Sequence, residues 1–263
     1  MEEKEHEAEF DLVAPVYDST RTPPSEQELE TVVKALDGAR RVLEVGVGTG
    51  RYSVPLAARG FEMTGLDISV EMMKLAHSKG LTRLIQGDLH FLPIKDKSFD
   101  ASLIIHVLQL IPDPYPALRE LARVTRGDVI ALFPDRPSFA SQDREKFRKR
   151  YREIAAEMGY EIRPRTRYWE NTEKVLEEMP PDSVKVVEET VDADQLRERW
   201  RSGMRTFGGF ITVPPEVHAK IMERLREERG TTEGRPHTRV RRIRVAAWNA
   251  PKLLTSLPTL RKG

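Results

Sequence analysis

The sequence contains no cysteine. This absence excludes disulfide bonds, thiolate catalysis and metal sites built from cysteine ligands. The chain also lacks any apolar run that approaches the ~18 residues of a membrane-spanning helix. Neither sign of charge dominates, because 43 Lys and Arg balance 42 Asp and Glu to a formal net charge of +1. No global field therefore draws the chain to nucleic acid or to a membrane.

The first ten residues, MEEKEHEAEF, are acidic. Secretory and transit peptides need apolar or basic segments, so neither is predicted, and we expect a cytoplasmic protein. A charged fraction of 32% without cysteine is also compatible with a heat-adapted protein. The length of 263 residues suits one α/β domain with an added subdomain, or two small domains.

A cluster of alternating glycines ends the segment RVLEVGVGTGR, residues 41–51. The apolar residues Val42 to Val45 predict a buried strand, and the glycines predict a tight turn. The segment that follows ends at Gly60 and predicts a helix. Strand, glycine turn and helix form the first unit of a nucleotide-type α/β domain, in which the ligand lies at the carboxyl end of the strand.

The glycine spacing bears on which ligand binds there. The dinucleotide fingerprint G-x-G-x-x-G would need a glycine at position 51, where this chain has Arg51. The pattern present is Glu44-x-Gly-x-Gly-x-Gly, with an acid inside the strand. This pattern resembles the first motif of the class I S-adenosylmethionine (SAM)-dependent methyltransferases, of the type 11 (UbiE-like) group. The resemblance covers residues 41–135 and the N-terminal segment, and it implies SAM as cofactor and S-adenosylhomocysteine as product.

Two later acids are in register with that motif. Asp67 ends a predicted strand 19 residues after Gly48, close to the ~20 expected before a ribose-binding acid. The alternative is that Asp67 caps the next helix, but Ser69 is better placed to do so. Asp88 follows the third predicted strand, and the resemblance implies that it receives the adenine amino group while Leu89 covers the ring. The alternative for Asp88 is an ordinary turn aspartate.

The motif and the resemblance together predict a set of cofactor-binding residues, namely Tyr17, Glu44, Gly46, Val47, Gly48, Gly50, Asp67, Ile68, Met72, Asp88, Leu89 and His106. Within this set, Ile68 is expected against the adenine, and Met72 is more typical of the core of a helix than of a cofactor contact. Tyr17 belongs to an N-terminal segment that, by the resemblance, lies over the cofactor. Arg21 is a weaker candidate for the same position.

Transfer of a methyl group from a sulfonium is an in-line displacement, so the enzyme mainly holds the reactants in line and excludes water. His106 follows the fourth predicted strand, beside the expected methyl position. It is suited to act as general base, because histidine titrates near neutrality. The alternative is that His106 only shapes the pocket or touches the methionine part of the cofactor. His77 and His90 are expected at the surface, and no metal site is predicted.

Strands and helices alternate from residue 41 to 133, which predicts a parallel sheet with right-handed crossovers. Together with this pattern, the resemblance implies an α/β Rossmann-like fold of the class I methyltransferases, with a mainly parallel seven-stranded sheet flanked by helices and a helical lid subdomain. The predicted divisions are the N-terminal segment and SAM-binding core (1–135), two helical insertions that form the lid (136–178 and 193–232), the last core strands (183–191 and 238–250) and a tail (251–263).

The lid is the expected place of substrate selection. Its candidate substrate residues are Trp169, Trp200, Phe207 and Phe210, which could line an apolar pocket or pack inside the lid. The arginines of FRKRYR (147–152) and RPRTR (163–167) could hold an acidic substrate or RNA phosphates. A solvated helix face, balanced by glutamates, is the favoured alternative for them.

The leading hypothesis is a SAM-dependent methyltransferase that acts on a small molecule. The nearest alternative is the same chemistry on tRNA or rRNA. A NAD-dependent dehydrogenase is disfavoured by the missing third glycine, and a SAM-binding module without catalysis stays open. No membrane partner is predicted, and the sequence specifies neither the methyl acceptor nor the oligomeric state.

Overall fold

The computed structural model of the protein describes residues 2–134, 138–162, 169–192, 198, 201, 203, 210, 213–229 and 238–258. Its sheet is built from β1 Arg41–Val45, β2 Glu62–Asp67, β3 Leu84–Gln86, β4 Ala101–Ile105, β5 Asp128–Pro134, β6 Ser183–Asp192 and β7 Thr238–Asn249. The strand order is β3-β2-β1-β4-β5-β7-β6. The first five strands in that order run parallel, and β7 is antiparallel to both of its neighbours. The predicted Rossmann-like, mainly parallel seven-stranded sheet is confirmed.

The central strands are apolar because both faces of the sheet are covered, and all five residues of β4 are buried. Successive side chains of a strand point to opposite faces. Leu43 of β1 and Ile104 of β4 accordingly join one hydrophobic cluster, while Val42 and Leu103 join the other. The sheet is thus a rigid platform whose strand ends can hold a site.

The helices of the described residues are α1 Glu2–Thr20, α2 Glu26–Ala35, α3 Ser53–Ala57, α4 Val70–Ser78, α5 Tyr115–Val124, α6 Ser138–Glu157, α7 Trp169–Glu178, α8 Pro215–Arg229 and α9 Ala250–Ser256, with a 3₁₀ turn at Leu108–Leu110. The hydroxyl of Ser69 accepts a hydrogen bond from the amide of Met72 at 3.1 Å and so caps α4. In the described part of the chain, no helix combines the length and the hydropathy that crossing a membrane requires.

Helix α1 covers one side of the sheet's carboxyl edge. Its buried Val13 and Ala14 pack against Met72 of α4. Phe10 and Tyr17 pack at the border of the same cluster. The N-terminal segment therefore brings two aromatic side chains to the region where the glycine turn ends β1.

The predicted tail at residues 251–263 was wrong for its first part, since Ala250–Ser256 form α9. The side chain of Asn249 accepts a hydrogen bond from the amide of Lys252 at 3.3 Å and caps this helix. Leu253 and Leu257 are buried in the same cluster as the apolar face of α5. The segment folds because these leucines find a hydrophobic partner surface. Residues 259–263 lie outside the described part.

The insertions contribute a separate hydrophobic cluster. Tyr151 and Ile154 of α6 and Ile221 of α8 are buried in it. Helix α7 instead packs near the 3₁₀ turn, where the side-chain amide of Asn171 donates to the carbonyl of Ile111 at 2.7 Å. Whether α6 and α8 act as a lid stays a prediction.

Candidate active site

A cavity of about 1050 Å³, including the space open to solvent at its mouth, lies beyond the carboxyl ends of β1, β2 and β4. This is where ligands bind in open α/β sheets. Its wall is formed by Phe10, Tyr17, Glu44, Gly46, Val47, Gly48, Thr49, Arg51, Tyr52, Leu66, Asp67, Ile68, Met72, Gly87, Asp88, Leu89, His90, Ile105, His106, Val107, Leu110 and Ile111. Every predicted cofactor-binding residue except Gly50 is in this wall, so the structure brings these residues together.

The glycines of the turn serve different purposes. A Cβ atom at Gly46 would lie 2.5 Å from Cγ2 of Val107, so the chain has no room for a side chain there. A Cβ at Gly48 would meet no atom within 4 Å, although its φ of +54° also favours glycine. This free space lets a ligand approach the backbone at Gly48 closely. Gly50 instead allows close packing, because its Cβ would lie 2.9 Å from Val54 and 3.3 Å from Ala76.

Asp67 connects the glycine turn to the end of β2. One of its carboxylate oxygens accepts a hydrogen bond from the amide of Gly48 at 2.7 Å, and the other accepts one from the amide of Ser69 at 2.9 Å. Burial raises the pKa of Asp67, while the hydrogen bonds from main-chain amides oppose that rise. Each carboxylate oxygen can accept a second hydrogen bond. Asp67 can therefore hold the turn and still receive ligand hydroxyls.

Asp88 lies at the adenine end predicted from the resemblance. Its carboxylate accepts a hydrogen bond from the amide of His90 at 2.8 Å and lies 2.8 Å from Nδ1 of the same residue. The expectation that His90 is a surface residue was therefore wrong, since it is half-buried in the cavity wall. Both contacts with the carboxylate of Asp88 hold the His90 side chain at the cavity wall.

Glu44 is buried at the end of β1, where its carboxyl group accepts a hydrogen bond from the hydroxyl of Ser53. Burial raises its pKa from 4.5 to about 8, even though that hydrogen bond and the charge of Arg51 lower it. Glu44 is thus mostly protonated at neutral pH in the free protein. A ligand cation next to it would favour the ionised form, and SAM carries such cations, so the residues present fit this cofactor.

His106 directly follows β4, with a φ of +57° that is uncommon for a residue other than glycine. Its ring meets that of Tyr52 edge to face, with the centroids 6.4 Å apart. Burial, together with the positive charges of Arg51, Arg241 and Arg21, lowers the pKa of His106 from 6.5 to about 3. The imidazole is therefore neutral at neutral pH.

Several wall residues were missed by the sequence analysis, among them Phe10, Thr49 and Tyr52. The hydroxyl of Tyr52 donates to buried Glu28, which pairs with Arg241 at 3.1 Å. Thr49 lies within the glycine turn, and Tyr52 lies two residues after its last glycine. Their closeness to the turn in sequence was the feature from which their place in the cavity wall could have been predicted.

Of the predicted substrate residues, Phe210 is the one whose side chain the structure describes, and it does not reach the cavity. Phe210 is buried against Tyr151, with ring centroids 5.3 Å apart, and is absent from the cavity wall. A packing role accounts for it instead of the predicted substrate contact. Trp200 and Phe207 lie outside the described residues, as does the side chain of Trp169.

Two arginines of the basic segment 147–152 are balanced by acids, as in the favoured interpretation. Arg150 pairs with Glu228 at 2.5 Å, and Arg152 pairs with Glu145 at 3.0 Å. The second basic segment, 163–167, lies outside the described residues. Within the described part of the chain, no group of three or more His, Asp and Glu could hold a metal ion.

Comparisons with known proteins agree with this geometry. Residues 43–133 match the family model described as a methyltransferase domain. The chain is 36% identical over 142 residues to the demethylmenaquinone methyltransferase of Renibacterium salmoninarum, which covers 50% of this chain and 60% of that protein. It is 34% identical over 105 residues to a ubiquinone biosynthesis O-methyltransferase of Xanthomonas oryzae pv. oryzae, covering 37% of this chain and 44% of that protein.

A solved SAM-dependent methyltransferase from Thermotoga maritima superposes with a TM-score of 0.53 at 21% identity, covering 91% of this chain and 98% of that one. This likeness concerns the fold alone. The chain spans about half the length of the curated relatives it matches. The match of residues 43–133, together with the motif at Glu44, confirms for that segment the predicted resemblance to the class I SAM-dependent methyltransferases.

Proposed function

We propose that the protein transfers the methyl group of SAM to a small-molecule acceptor. The observation that carries this proposal is the convergence of the glycine turn, Asp67 and Asp88 on one cavity at the carboxyl ends of the strands. The two relatives named above, a demethylmenaquinone methyltransferase and a ubiquinone biosynthesis O-methyltransferase, support an acceptor that is a small molecule.

The cavity wall offers partners for the ribose, the adenine and the positive charge of the cofactor. Asp67 would accept hydrogen bonds from the ribose hydroxyls, and Asp88 with Leu89 would hold the adenine. The backbone at Gly48 leaves space for the cofactor, and Glu44 would face its positive charge. When bound, SAM supplies a methyl group on a sulfonium that a nucleophile can displace in line.

The neutral imidazole of His106 limits its role in that chemistry. With a pKa near 3, it is a weak acceptor of a full proton at neutral pH. It can still accept a hydrogen bond from the acceptor molecule and hold the nucleophile in line. We therefore assign His106 to orientation of the acceptor.

The alternatives receive less support. An RNA substrate would need a basic surface, and Arg150 and Arg152 of segment 147–152 are paired with glutamates. A dehydrogenase is disfavoured because Arg51 occupies the position of the third fingerprint glycine. A SAM-binding module without catalysis would have the same binding site, so only a measurement of methyl transfer distinguishes it from an enzyme.

Transfer of labelled methyl groups from SAM into fractions of a cell extract tests the proposal and finds the acceptor. Label in a small-molecule fraction supports it, whereas label only in RNA, or in no fraction, contradicts it. Calorimetry with S-adenosylhomocysteine and NAD separates the methyltransferase from the dehydrogenase.

Once an acceptor is found, His106→Ala tests the orientation role. We expect unchanged affinity for S-adenosylhomocysteine and a loss of transfer rate of about tenfold, smaller than the ~10²–10⁴ that removal of a general base costs. His77→Ala, on the exposed side of α4, is the control. Normal turnover in His106→Ala would remove this residue from the mechanism, and a loss of about 10³ would restore it as base.

A further inference from the structure

Charge is unevenly distributed over the cavity wall. Three acids, Glu44, Asp67 and Asp88, lie in the part assigned above to the cofactor. Arg51 is the one permanently charged cation among the wall residues that the structure describes. It influences His106, since its charge is the second-largest cause of the lowered pKa of that residue. Its guanidinium lies 6.0 Å from the ring centroid of Tyr52, and that ring meets His106 edge to face. The cation is therefore near the end of the cavity where the acceptor is expected, as well as near Glu44, whose pKa its charge also lowers.

The guanidinium of Arg51 forms no ion pair with any carboxylate of the described residues. Its hydrogen bond goes to the main-chain carbonyl of Thr22, and it lies 6.0 Å from the ring centroid of Tyr52. An arginine that is partly buried without a carboxylate partner still has donors to offer to a ligand. By comparison, the nearby Arg59 pairs with Glu26 at 2.6 Å.

The acids that could have neutralised Arg51 are engaged elsewhere. Asp18, in the last turn of α1, accepts hydrogen bonds from the ammonium of Lys79 and, at 2.6 Å, from the hydroxyl of Thr49. Glu44 accepts from Ser53 and is assigned above to the positive charge of the cofactor. The positive charge of Arg51 is thus left for a ligand.

The rest of this end of the cavity is apolar. Ile105, Val107, Leu110 and Ile111 line it beside the neutral His106. A matching ligand has an apolar body and a single negative group. Guanidinium binds carboxylates and similar oxyanions in a planar, two-pronged geometry, which makes the interaction strong and directional.

We propose that Arg51 is the anion-binding residue for a carboxylate, or an equivalent oxyanion, on an otherwise apolar methyl acceptor. The inference rests on the proposed function, because it places the cofactor in the acidic part of the same cavity. The cofactor's own methionine carboxylate has the same chemistry. The experiment must therefore separate these two sources of the anion.

Isothermal titration calorimetry on the full chain, saturated with S-adenosylhomocysteine, compares acids with their neutral amides. The pairs are 4-hydroxybenzoate and 4-hydroxybenzamide, cinnamate and cinnamamide, and hexanoate and hexanamide. For at least one pair, we expect the wild-type protein to bind the acid about tenfold tighter than the amide, or about 1.4 kcal/mol. Arg51→Gln should reduce this preference to about twofold or less, with S-adenosylhomocysteine affinity unchanged.

Two further variants keep this comparison interpretable. Arg51→Lys keeps the charge but loses the planar fork, so it should retain an intermediate preference for the acid. Arg59→Gln removes an exposed arginine that is already paired and should leave every affinity unchanged. Thermal melting of each variant shows that it is folded, and Arg51→Lys carries the test if Arg51→Gln is not.

Two results would overturn the inference. Weaker S-adenosylhomocysteine binding in Arg51→Gln, with the acid preference intact, would assign Arg51 to the cofactor's carboxylate. Equal binding of acid and amide in all three pairs would mean that the wall has no anion site. A wild-type protein that binds no S-adenosylhomocysteine refutes the proposed function instead, and the acid and amide titrations without it then decide the role of Arg51.

Discussion

Glu44 shows how one buried residue can couple proton binding to ligand binding. Its carboxyl group has a pKa of about 8 in the folded protein, because burial opposes the charged form. In the unfolded chain the pKa returns to 4.5. Folding therefore takes up a proton between these two values, and the free energy of unfolding falls as pH rises through that window. A ligand cation beside Glu44 would reverse the effect.

This coupling predicts the behaviour of Glu44→Gln. The amide can still accept the hydrogen bond from Ser53 but does not titrate, so the variant should lack the loss of stability between about pH 5 and about pH 8. Relative to the wild type, its free energy of unfolding should rise over that range by an amount on the order of a few kcal/mol. Urea unfolding at the two pH values measures this difference. A wild type and a variant with parallel pH dependence would show that Glu44 is ionised throughout.

At this same scale, the sequence predicted the residues whose position follows from a strand end. Glu44, Asp67 and Asp88 reach the cavity because parallel strands bring their carboxyl ends to one edge. Arg51 and His90 were not predicted as wall residues. Arg51 is held by a hydrogen bond to the carbonyl of Thr22, and His90 is held by a hydrogen bond from its amide to the carboxylate of Asp88. Hydrophobic periodicity predicts neither interaction.

Among the elements, α9 is the one whose role the sequence analysis missed. Its apolar residues are few, and the face of α5 against which they pack lies more than a hundred residues earlier in the chain. Local pattern cannot reveal a partner at that distance. Arg119 of α5 adds to the attachment by donating to the carbonyl of Leu257 at 3.2 Å. A short helix with one capped end is thus held by tertiary packing.

Leu253→Ala tests whether α9 is part of the core. Leu253 is fully enclosed, so its truncation should lower the free energy of unfolding by about 3 kcal/mol, within the usual range for buried leucines. Urea unfolding gives this value, and Thr255→Ala, on the exposed side of the helix, is the control. Because α9 contributes no residue to the cavity wall, S-adenosylhomocysteine affinity should not change. A loss below about 0.5 kcal/mol would mean that the segment behaves as a tail after all.

For the whole molecule, strand order decides where the site forms. β1 lies between β2 and β4, so the chain leaves it on one side for β2 and β3 and on the other for β4 and β5. A crevice forms outside the carboxyl ends of strands at such a reversal. The cavity lies there, walled by the glycine turn after β1 and by His106 after β4.

The overall architecture could be predicted well from the sequence for the sheet, and poorly for the insertions. Alternating strands and helices over residues 41–133 leave few possible topologies, and the same segment matches the family model. The insertions carry many charged residues and a small cluster of their own around Tyr151. Such segments have weak periodicity, and the place where they dock is set by surfaces that the pattern does not describe.

The central claim is that the cavity is a SAM site organised by Asp67. Titration calorimetry with S-adenosylhomocysteine on the wild type, Asp67→Asn and the exposed control Asp96→Asn tests it most directly. An asparagine side chain accepts hydrogen bonds through one oxygen only, so either Gly48 or Ser69 loses its partner. We expect one site per chain and an affinity about tenfold or more weaker in Asp67→Asn alone, or about 1.4 kcal/mol. Equal affinity in all three proteins, or tight binding of NAD in place of S-adenosylhomocysteine, would contradict the assignment.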